Sequence, residues 1–248
     1  MHIVLQVILY YILPYTTVVV FFGGIIYKII SWMRTPKPTA ALTIYPTREG
    51  AKMASSMTAD QIVFPSLFSR KILWVFGVML HLALLGIVVG HVRIFGEPQF
   101  FWNLIRLDAD GVDLFAYIIG GAVGIAFLIS LIVLLVRRFY GTMKKVSVPI
   151  DFLFLILLIA IAISGDVMRF FMHIDMAEIQ TFFASLVRFS PDITSTVQQS
   201  AFIVHNVLTE VLIMYIPFSK LVHIIGSFIT NYIVKREDKN PVKGEDKK

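Results

Sequence analysis

The sequence contains no cysteine. It can therefore form no disulfide, hold no iron–sulfur cluster through thiolates, and attach no haem through a C-x-x-C-H segment. Histidine is the strongest remaining ligand for transition metals, and the chain has 6 histidines. Any metal in this protein must rest mainly on histidine.

Charged residues are also scarce, at 15% of 248 positions, whereas hydrophobic residues make up 57% and the mean hydropathy is +0.80. Soluble domains carry about 25% charged residues. A helix needs about 20 apolar residues to cross a membrane, and runs of that length are present. We predict an all-α membrane protein, a five-transmembrane-helix bundle, with spans at about residues 3–30, 72–95, 112–136, 150–170 and 200–227. The first run lacks the basic start and cleavage site of a signal peptide, so it is predicted to stay as helix one.

Lysine and arginine are concentrated in two of the connections between spans. Residues 28–71 hold seven basic and two acidic side chains, and residues 137–151 hold four and one. Residues 93–113 and 166–204 each hold two basic and four acidic side chains. Because basic connections stay on the cytoplasmic side, this distribution predicts the N-terminus outside and the C-terminus in the cytoplasm.

The chain is accordingly predicted to consist of a transmembrane domain, residues 1–233, and a polar cytoplasmic tail, residues 234–248, in the cytoplasmic (cell) membrane. The net charge of +6 and the pI near 9.5 follow from these topology signals. No binding of nucleic acid is expected.

Four histidines lie inside the predicted spans, His81 and His91 on helix two and His205 and His223 on helix five. A lone histidine in a membrane is more often a hydrogen-bonded interior residue than a ligand. Four on two antiparallel helices, however, predict two pairs, with His91 level with His205 towards the outside and His81 level with His223 towards the cytoplasm.

The spacings within the two helices differ. At a rise of about 1.5 Å per residue, the ten positions between His81 and His91 span about 15 Å, and the eighteen between His205 and His223 span about 27 Å. Helix tilt and a kink at Pro217 are expected to absorb the difference.

Two haem b groups, each held between two neutral imidazoles, suit such pairs best. Gly77, Gly86 and Gly90 on helix two either make room for the macrocycles or allow close helix packing. A single zinc site is rejected, because histidines a helix length apart cannot converge. A proton path stays open because Glu210 is a carboxyl in mid-membrane, although a protonated Glu210 bonded to a neighbouring helix is the simpler interpretation.

Two segments match a known pattern. Helix two reads SRKILWVFGVMLHLALLGIVVGHVRIFGEP, and helix five reads HNVLTEVLIMYIPFSKLVHIIGSF. Together with the RRF stretch before Asp151, these resemble the gamma subunit of respiratory nitrate reductase over about residues 1–230. Within that superfamily, HVRIFGEP and SGDVMRFF are more similar to the membrane cytochrome (subunit M) of the dissimilatory sulfite-reductase-associated electron transport complex, and to the cytochrome b of membrane heterodisulfide reductase.

The resemblance implies an outer haem on His91 and His205, an inner haem on His81 and His223, and menaquinone near the outer haem. The lysine that helps to form the quinol site in the nitrate reductase branch has no counterpart, since residues 72–135 contain no lysine. The candidates that the sequence offers are Arg93 and Lys220 for the haem propionates, and Arg106, Asp113, Asp166 and Arg169 for the quinone region.

The resulting hypothesis is a cytochrome b subunit that transfers electrons between menaquinone or menaquinol and an iron–sulfur subunit on the cytoplasmic side. That partner would be heterodisulfide-reductase-like or ferredoxin-like, in a complex with further membrane subunits that serves sulfite, sulfate or heterodisulfide-type respiration. Terminal chemistry is expected on the partners, which must also supply the clusters. The alternatives are a nitrate reductase gamma subunit and a haem-free proton-conducting membrane subunit that uses the histidines and Glu210.

Overall fold

The computed structural model describes residues 3–34, 52, 55, 64, 67–172, 174–223 and 226. Within these residues the regular structure is helical, which agrees with the predicted all-α class. Five helices are long and apolar enough to cross a membrane. We call them helix one to helix five, and their bounds are Ile3–Arg34, Lys71–Phe95, Ala109–Arg137, Pro149–Phe171 and Ser200–Phe218. The predicted tail, residues 234–248, lies outside the described residues.

Helix one contains a π-helical turn, Ile8–Ile12, ahead of Pro14. Proline lacks an N–H group and its ring collides with the carbonyl four residues earlier, so the α-helical ladder is interrupted there. Tyr10 lies in this turn and is 2% exposed. Its hydroxyl donates a hydrogen bond to the carbonyl oxygen of Val197 at 2.9 Å, which ties helix one to the segment before helix five.

The spanning helices pack as an open series in the order two, three, four, five, one. Small residues lie at each contact, which lets backbones approach closely where lipid offers no hydrophobic driving force. Gly86 of helix two packs on Val123 of helix three, and Gly121 of helix three packs on the ring of Phe170 in helix four. Gly165 of helix four lies against the ring of His205 in helix five.

A short surface helix, Met176–Val187, closes one end of the bundle. Its buried face includes Ile179 and Phe182, which pack with Tyr10, Val197 and Phe202 in one hydrophobic cluster. The end of the bundle that this helix covers also carries His91 and His205, and we call it the His91 end. The opposite end is the His223 end.

Helix five is interrupted within the predicted span 200–227. Its α-helical part ends at Tyr215, and a 3₁₀ turn, Ile216–Phe218, follows around Pro217. Ser219 is extended, with φ −102° and ψ 174°, and a second 3₁₀ turn, Lys220–Val222, leads to His223. Pro217 cannot supply the N–H group that a continued helix requires, so the chain breaks rather than kinks. Residues 224, 225 and 227 lie outside the described residues.

The contact between helix one and helix five provides a first prediction. A Cβ atom on Gly24 would lie 2.6 Å from Cβ of Pro217, whereas a Cβ on the neighbouring Gly23 would meet nothing within 4 Å. We expect Gly24→Ala to destabilise the protein by about 1–3 kcal/mol through overpacking. Gly23→Ala is the matched control and should be neutral or slightly stabilising, because alanine favours helix. Thermal unfolding of both variants in one detergent tests this, and equal melting temperatures would contradict it.

Candidate functional site

The four intramembrane histidines form two pairs. The rings of His91 and His205 have their centres 6.3 Å apart, with their planes inclined by 17°. The rings of His81 and His223 have their centres 6.5 Å apart, with their planes inclined by 75°. The structure thus brings helix two and helix five together at the two levels that the antiparallel arrangement predicts. Whether these residues bind haem iron stays a prediction at this point.

The separation within each pair fits two ligands of one metal. A metal–nitrogen bond of about 2 Å on each side, plus about 1 Å from each nitrogen to its ring centre, places two ligand rings about 6 Å apart. No three metal-binding side chains converge within the part of the chain that the structure describes. Each pair therefore supplies at most two ligands from the described residues, and any further ligands would belong to the bound group.

Each imidazole is held in one orientation through its Nδ1 atom. Nδ1 of His81 lies 2.7 Å from the carbonyl oxygen of Gly77, and Nδ1 of His91 lies 2.8 Å from that of Ile87. Nδ1 of His223 lies 2.7 Å from the carbonyl oxygen of Lys220. A carbonyl oxygen only accepts, so Nδ1 carries the proton in these rings and Nε2 keeps a free lone pair, as a metal-binding histidine requires.

His205 reaches the same state through a side chain. Its Nδ1 lies 3.0 Å from Oγ of Ser164, and that hydroxyl donates its single proton to the carbonyl oxygen of Ile161 at 2.9 Å. Oγ must then accept the hydrogen bond from Nδ1. All four rings are consequently in the tautomer that leaves Nε2 available.

Helix two and helix five do not pack extensively on each other among the described residues, although both carry the histidines. His81, His91 and His223 are exposed on the protein surface between them, and His205 is half-buried. A ring nitrogen that has no partner at membrane depth is costly, and Nε2 is the nitrogen that the Nδ1 contacts leave available. The arrangement suits a flat group that enters between the two helices.

The glycines of helix two separate into two kinds. A Cβ on Gly77 or Gly90 would meet nothing within 4 Å, whereas a Cβ on Gly86 would lie 3.1 Å from Cγ1 of Val123. Gly86 therefore serves helix packing. Gly77, one turn before His81, and Gly90, directly before His91, leave open the space next to the histidines.

At the His91 end, Arg93 is held by two carboxylates. Its Nη2 atom donates to Oε1 of Glu97 at 2.7 Å and to Oδ1 of Asp113 at 3.3 Å, and its side chain is 11% exposed. Nε1 of Trp102 donates to Oε2 of Glu97 at 2.9 Å, and Gln180 of the surface helix donates to the carbonyl oxygen of Arg93 at 2.9 Å. If Arg93 also binds a haem propionate, as predicted, it must do so while it keeps its contacts with Glu97 and Asp113.

The other residues predicted for the quinone region lie at different places. Arg169 donates from Nη1 to the carbonyl oxygen of Ala116 at 2.7 Å and covers Gly120. Asp166, one turn earlier on helix four, lies against Gly124. Asp113 is bound to Arg93, and Arg106 is an exposed residue with φ +56° after the helix Gln99–Leu104. Asp166 and Arg169 share a face, and Arg106 makes no ion pair with them in the described structure.

At the His223 end, Lys220 donates from Nζ to Oδ1 of Asp151 at 2.7 Å. Asp151 is 5% exposed and also accepts from Nη1 of Arg138 at 3.3 Å and from the backbone N–H of Val148 at 3.3 Å. The ammonium group of Lys220 is therefore already paired, so its predicted contact with a haem propionate stays a prediction.

Glu210 is 7% exposed within helix five, and its Oε1 accepts a hydrogen bond from Asn206 at 3.1 Å. Its Oε2 has no partner among the described residues. The expected partner was on a neighbouring helix, but the observed one lies one turn earlier on helix five.

Three contacts at the candidate site were not predicted from the sequence. Ser164 orients His205, Asp151 holds Lys220, and Trp102 with Gln180 completes the cluster around Arg93. Ser164 and Asp151 both lie in segments that carry the family resemblance, yet nothing in the sequence shows which distant side chain each one meets.

Comparison with known proteins places the chain in a family. Residues 59–238 match the family described as nitrate reductase gamma subunit, so the chain belongs to that family, as the sequence resemblance indicated. Membership and the five apolar helices together make it a multi-pass membrane protein.

Among particular relatives, the chain is similar to the Hdr-like menaquinol oxidoreductase cytochrome b-like subunit of Archaeoglobus fulgidus, at 30% identity over 88% of this chain and 76% of the relative. It is similar to the protein of the same description in Archaeoglobus profundus, at 28% identity over the same shares. It is also similar to the nitrate reductase gamma chain of Bacillus subtilis, at 27% identity over 93% of this chain and 97% of the relative.

The cluster around Arg93 provides a pH-dependent prediction. Burial alone would raise the pKa of Glu97, but hydrogen bonds from Arg93 and Trp102 outweigh it and lower the pKa below 4.5. A lowered pKa in the folded state means that Glu97 stabilises the protein at neutral pH and loses this contribution as the pH falls from about 4.5 through the folded-state value.

We therefore expect the melting temperature of the Glu97→Gln variant to lie below that of the wild type at pH 7, with a gap that narrows as the pH is lowered towards 3. Asp110→Asn, which changes an exposed carboxylate in the first turn of helix three, is the control and should show no such narrowing. A gap for Glu97→Gln that is independent of pH would contradict the assignment.

Proposed function

We propose that this protein is a di-haem cytochrome b subunit of a membrane respiratory complex, and that it transfers electrons between menaquinol and an iron–sulfur subunit on the cytoplasmic side. The N-terminus lies outside and the C-terminus inside, so the His91 end faces outwards. The observation that carries the proposal is the two histidine pairs, 6.3 and 6.5 Å between ring centres, each with Nδ1 hydrogen-bonded and Nε2 free.

The donor set fits haem b. Each pair would supply two neutral imidazoles to hold haem iron, and Gly77 and Gly90 leave the adjacent space open. His91 and His205 would hold the outer haem, and His81 and His223 the inner one. The bound haems supply reversible one-electron oxidation and reduction. The protein contributes the fixed tautomers, the spacing of the ligands and the position of one site at each end of the bundle.

Quinone chemistry is proposed near the His91 end. Two similar proteins are described as menaquinol oxidoreductase subunits, which supports menaquinone as the substrate. Arg169 is the strongest of the candidate residues, because its only hydrogen bond in the described structure is to a backbone oxygen and its remaining N–H groups can bind a quinone oxygen or a propionate. Asp166 lies one turn away and is positioned to exchange a proton. Asp113 and Arg106 contribute charge at the rim of this region.

A separate iron–sulfur partner is proposed because the chain has no cysteine with which to hold a cluster. The cytoplasmic side follows from the proposed topology, in which the His223 end faces the cytoplasm. The relatives whose names begin with "Hdr-like" support a heterodisulfide-reductase-like partner over a nitrate reductase. Sulfite, sulfate or heterodisulfide-type respiration as the setting rests on the sequence resemblance.

Haem content tests the proposal directly. The reduced-minus-oxidised spectrum and pyridine haemochrome of the purified chain should give two b haems, with about one lost in His91→Ala and one in His223→Ala. His173→Ala, which changes a histidine outside the predicted pairs, is the control and should retain both. A well-folded wild type without a Soret band would reject the cytochrome and leave the proton-conducting alternative, with Glu210, ahead.

Ser164 provides a sharper test of one pair. Without its hydroxyl, Nδ1 of His205 loses its acceptor, and we expect Ser164→Ala to bind the outer haem about 10- to 100-fold more weakly. Ser130→Ala is the matched control, because among the described residues its buried hydroxyl bonds only to the carbonyl oxygen of Ala126 in its own helix, at 2.8 Å. Haem titration of the apoprotein measures both variants. Equal haem affinity in the two would show that Ser164 does not orient His205.

A further inference from the structure

His223 is the one predicted ligand that directly follows an interruption of its helix, although His223 itself is α-helical again. The α-helix of helix five ends at Tyr215, and two 3₁₀ turns separated by the extended Ser219 lead to His223. The second of these turns has only three residues, Lys220–Val222, and the hydroxyl of Ser219 accepts from the N–H of Leu221 at 3.0 Å. Short 3₁₀ segments have poorer hydrogen bonds than α-helix, so such a turn needs support from elsewhere.

The other three histidines do not share this dependence. His81 and His91 are bonded to carbonyl oxygens four residues earlier in one continuous helix, and His205 lies on α-helix and is bonded to Ser164 of helix four. For His223 the acceptor is the carbonyl oxygen of Lys220, at 2.7 Å. The orientation of the His223 ring therefore depends on where the backbone of Lys220 lies.

Lys220 is fixed by a buried carboxylate. Oδ1 of Asp151 accepts from Nζ of Lys220 at 2.7 Å, while Oδ2 accepts from the N–H of Val148 and from Arg138, both at 3.3 Å. Asp151 is 5% exposed and lies in the first turn of helix four. The carboxylate is thus anchored to helix four and to the end of helix three, and it binds the irregular turn to both.

We propose that Asp151 is a positioning residue for the inner haem ligand, acting through Lys220 on the imidazole of His223. This inference rests on the proposed function, since it concerns the ligand of the inner haem. In this proposal the side chain of Lys220 holds the turn Lys220–Val222 in place. The carbonyl oxygen of Lys220 fixes the tautomer of the His223 ring. Neither group needs to touch the haem.

Binding of carbon monoxide to the reduced protein is the decisive measurement. A haem with two histidine ligands has no open position, whereas loss of His223 from the iron would open one. We expect Asp151→Asn and Lys220→Met each to make one of the two haems reactive towards carbon monoxide while the total haem content stays near two. Because Asp151 acts through Lys220, the double variant should react no more than either single variant.

Lys145→Met is the matched control, since it removes an exposed positive charge from the same side of the protein, in the helix Gly141–Val146. It should leave both haems unreactive. Asp151→Glu keeps the carboxylate and should restore part of the wild-type behaviour. If Asp151→Asn does not fold, Lys220→Met carries the test, because its side chain is 76% exposed and is not needed for packing.

Several results would overturn the inference. If neither haem of Asp151→Asn reacts with carbon monoxide, Asp151 does not position His223. Reactivity in Lys220→Met but not in a folded Asp151→Asn would mean that Lys220 contacts the haem directly. Reactivity of both haems would indicate general loosening of the bundle. If the wild type contains two haems and His223→Ala loses one of them, the proposed function stands in each of these cases. A wild type without haem would reject both the proposed function and this inference.

Discussion

An imidazole inside a membrane needs a partner for each ring nitrogen, and this requirement shapes the whole site. Lipid offers neither donors nor acceptors, so the protein itself must satisfy Nδ1. It does so with backbone carbonyl oxygens for His81, His91 and His223 and with the hydroxyl of Ser164 for His205. Once Nδ1 is the donor, Nε2 is left as a base. Each ring can then bind a metal or accept a proton, and the separation of about 6 Å between the paired rings is the one that two ligands of a single metal would have.

The order in which the helices pack follows from the same requirement. Helices two and five carry the histidine pairs but do not pack extensively on each other among the described residues. Helices three and four link them, because helix two packs on helix three, helix three on helix four and helix four on helix five. Glycines make that connection tight, with Gly86 at the contact between helices two and three and Gly121 between helices three and four. Gly165 allows helix four to approach the ring of His205 itself. Close packing on one side of the bundle keeps the two histidine-bearing helices apart on the other.

Much of this could be predicted from the sequence, because hydropathy and charge report the environment of each segment directly. Five spans and two facing histidine pairs follow from apolar run lengths and from antiparallel neighbours. Side-chain partners could not be predicted in the same way. Gly77 and Gly86 cannot be distinguished by sequence alone. In the structure Gly86 packs on Val123, whereas Gly77 borders open space. Asp151 meets Lys220 across 69 positions. The partner of Glu210 is the exception, since Asn206 lies four residues away on the same helix.

The unequal histidine spacings are explained by the end of helix five. From His205 to Tyr215 the α-helix advances ten residues, about 15 Å, which equals the advance from His81 to His91 on helix two. The eight residues from Tyr215 to His223 must therefore add little length along the helix axis. As α-helix they would add about 12 Å. At Pro217 and the extended Ser219 the chain leaves the α-helical path. The ring centres of His223 and His81 can therefore lie 6.5 Å apart. The same break places His223 directly after an irregular turn. Its Nδ1 atom lies 2.7 Å from the carbonyl oxygen of Lys220, whose side chain is bound by the buried carboxylate of Asp151.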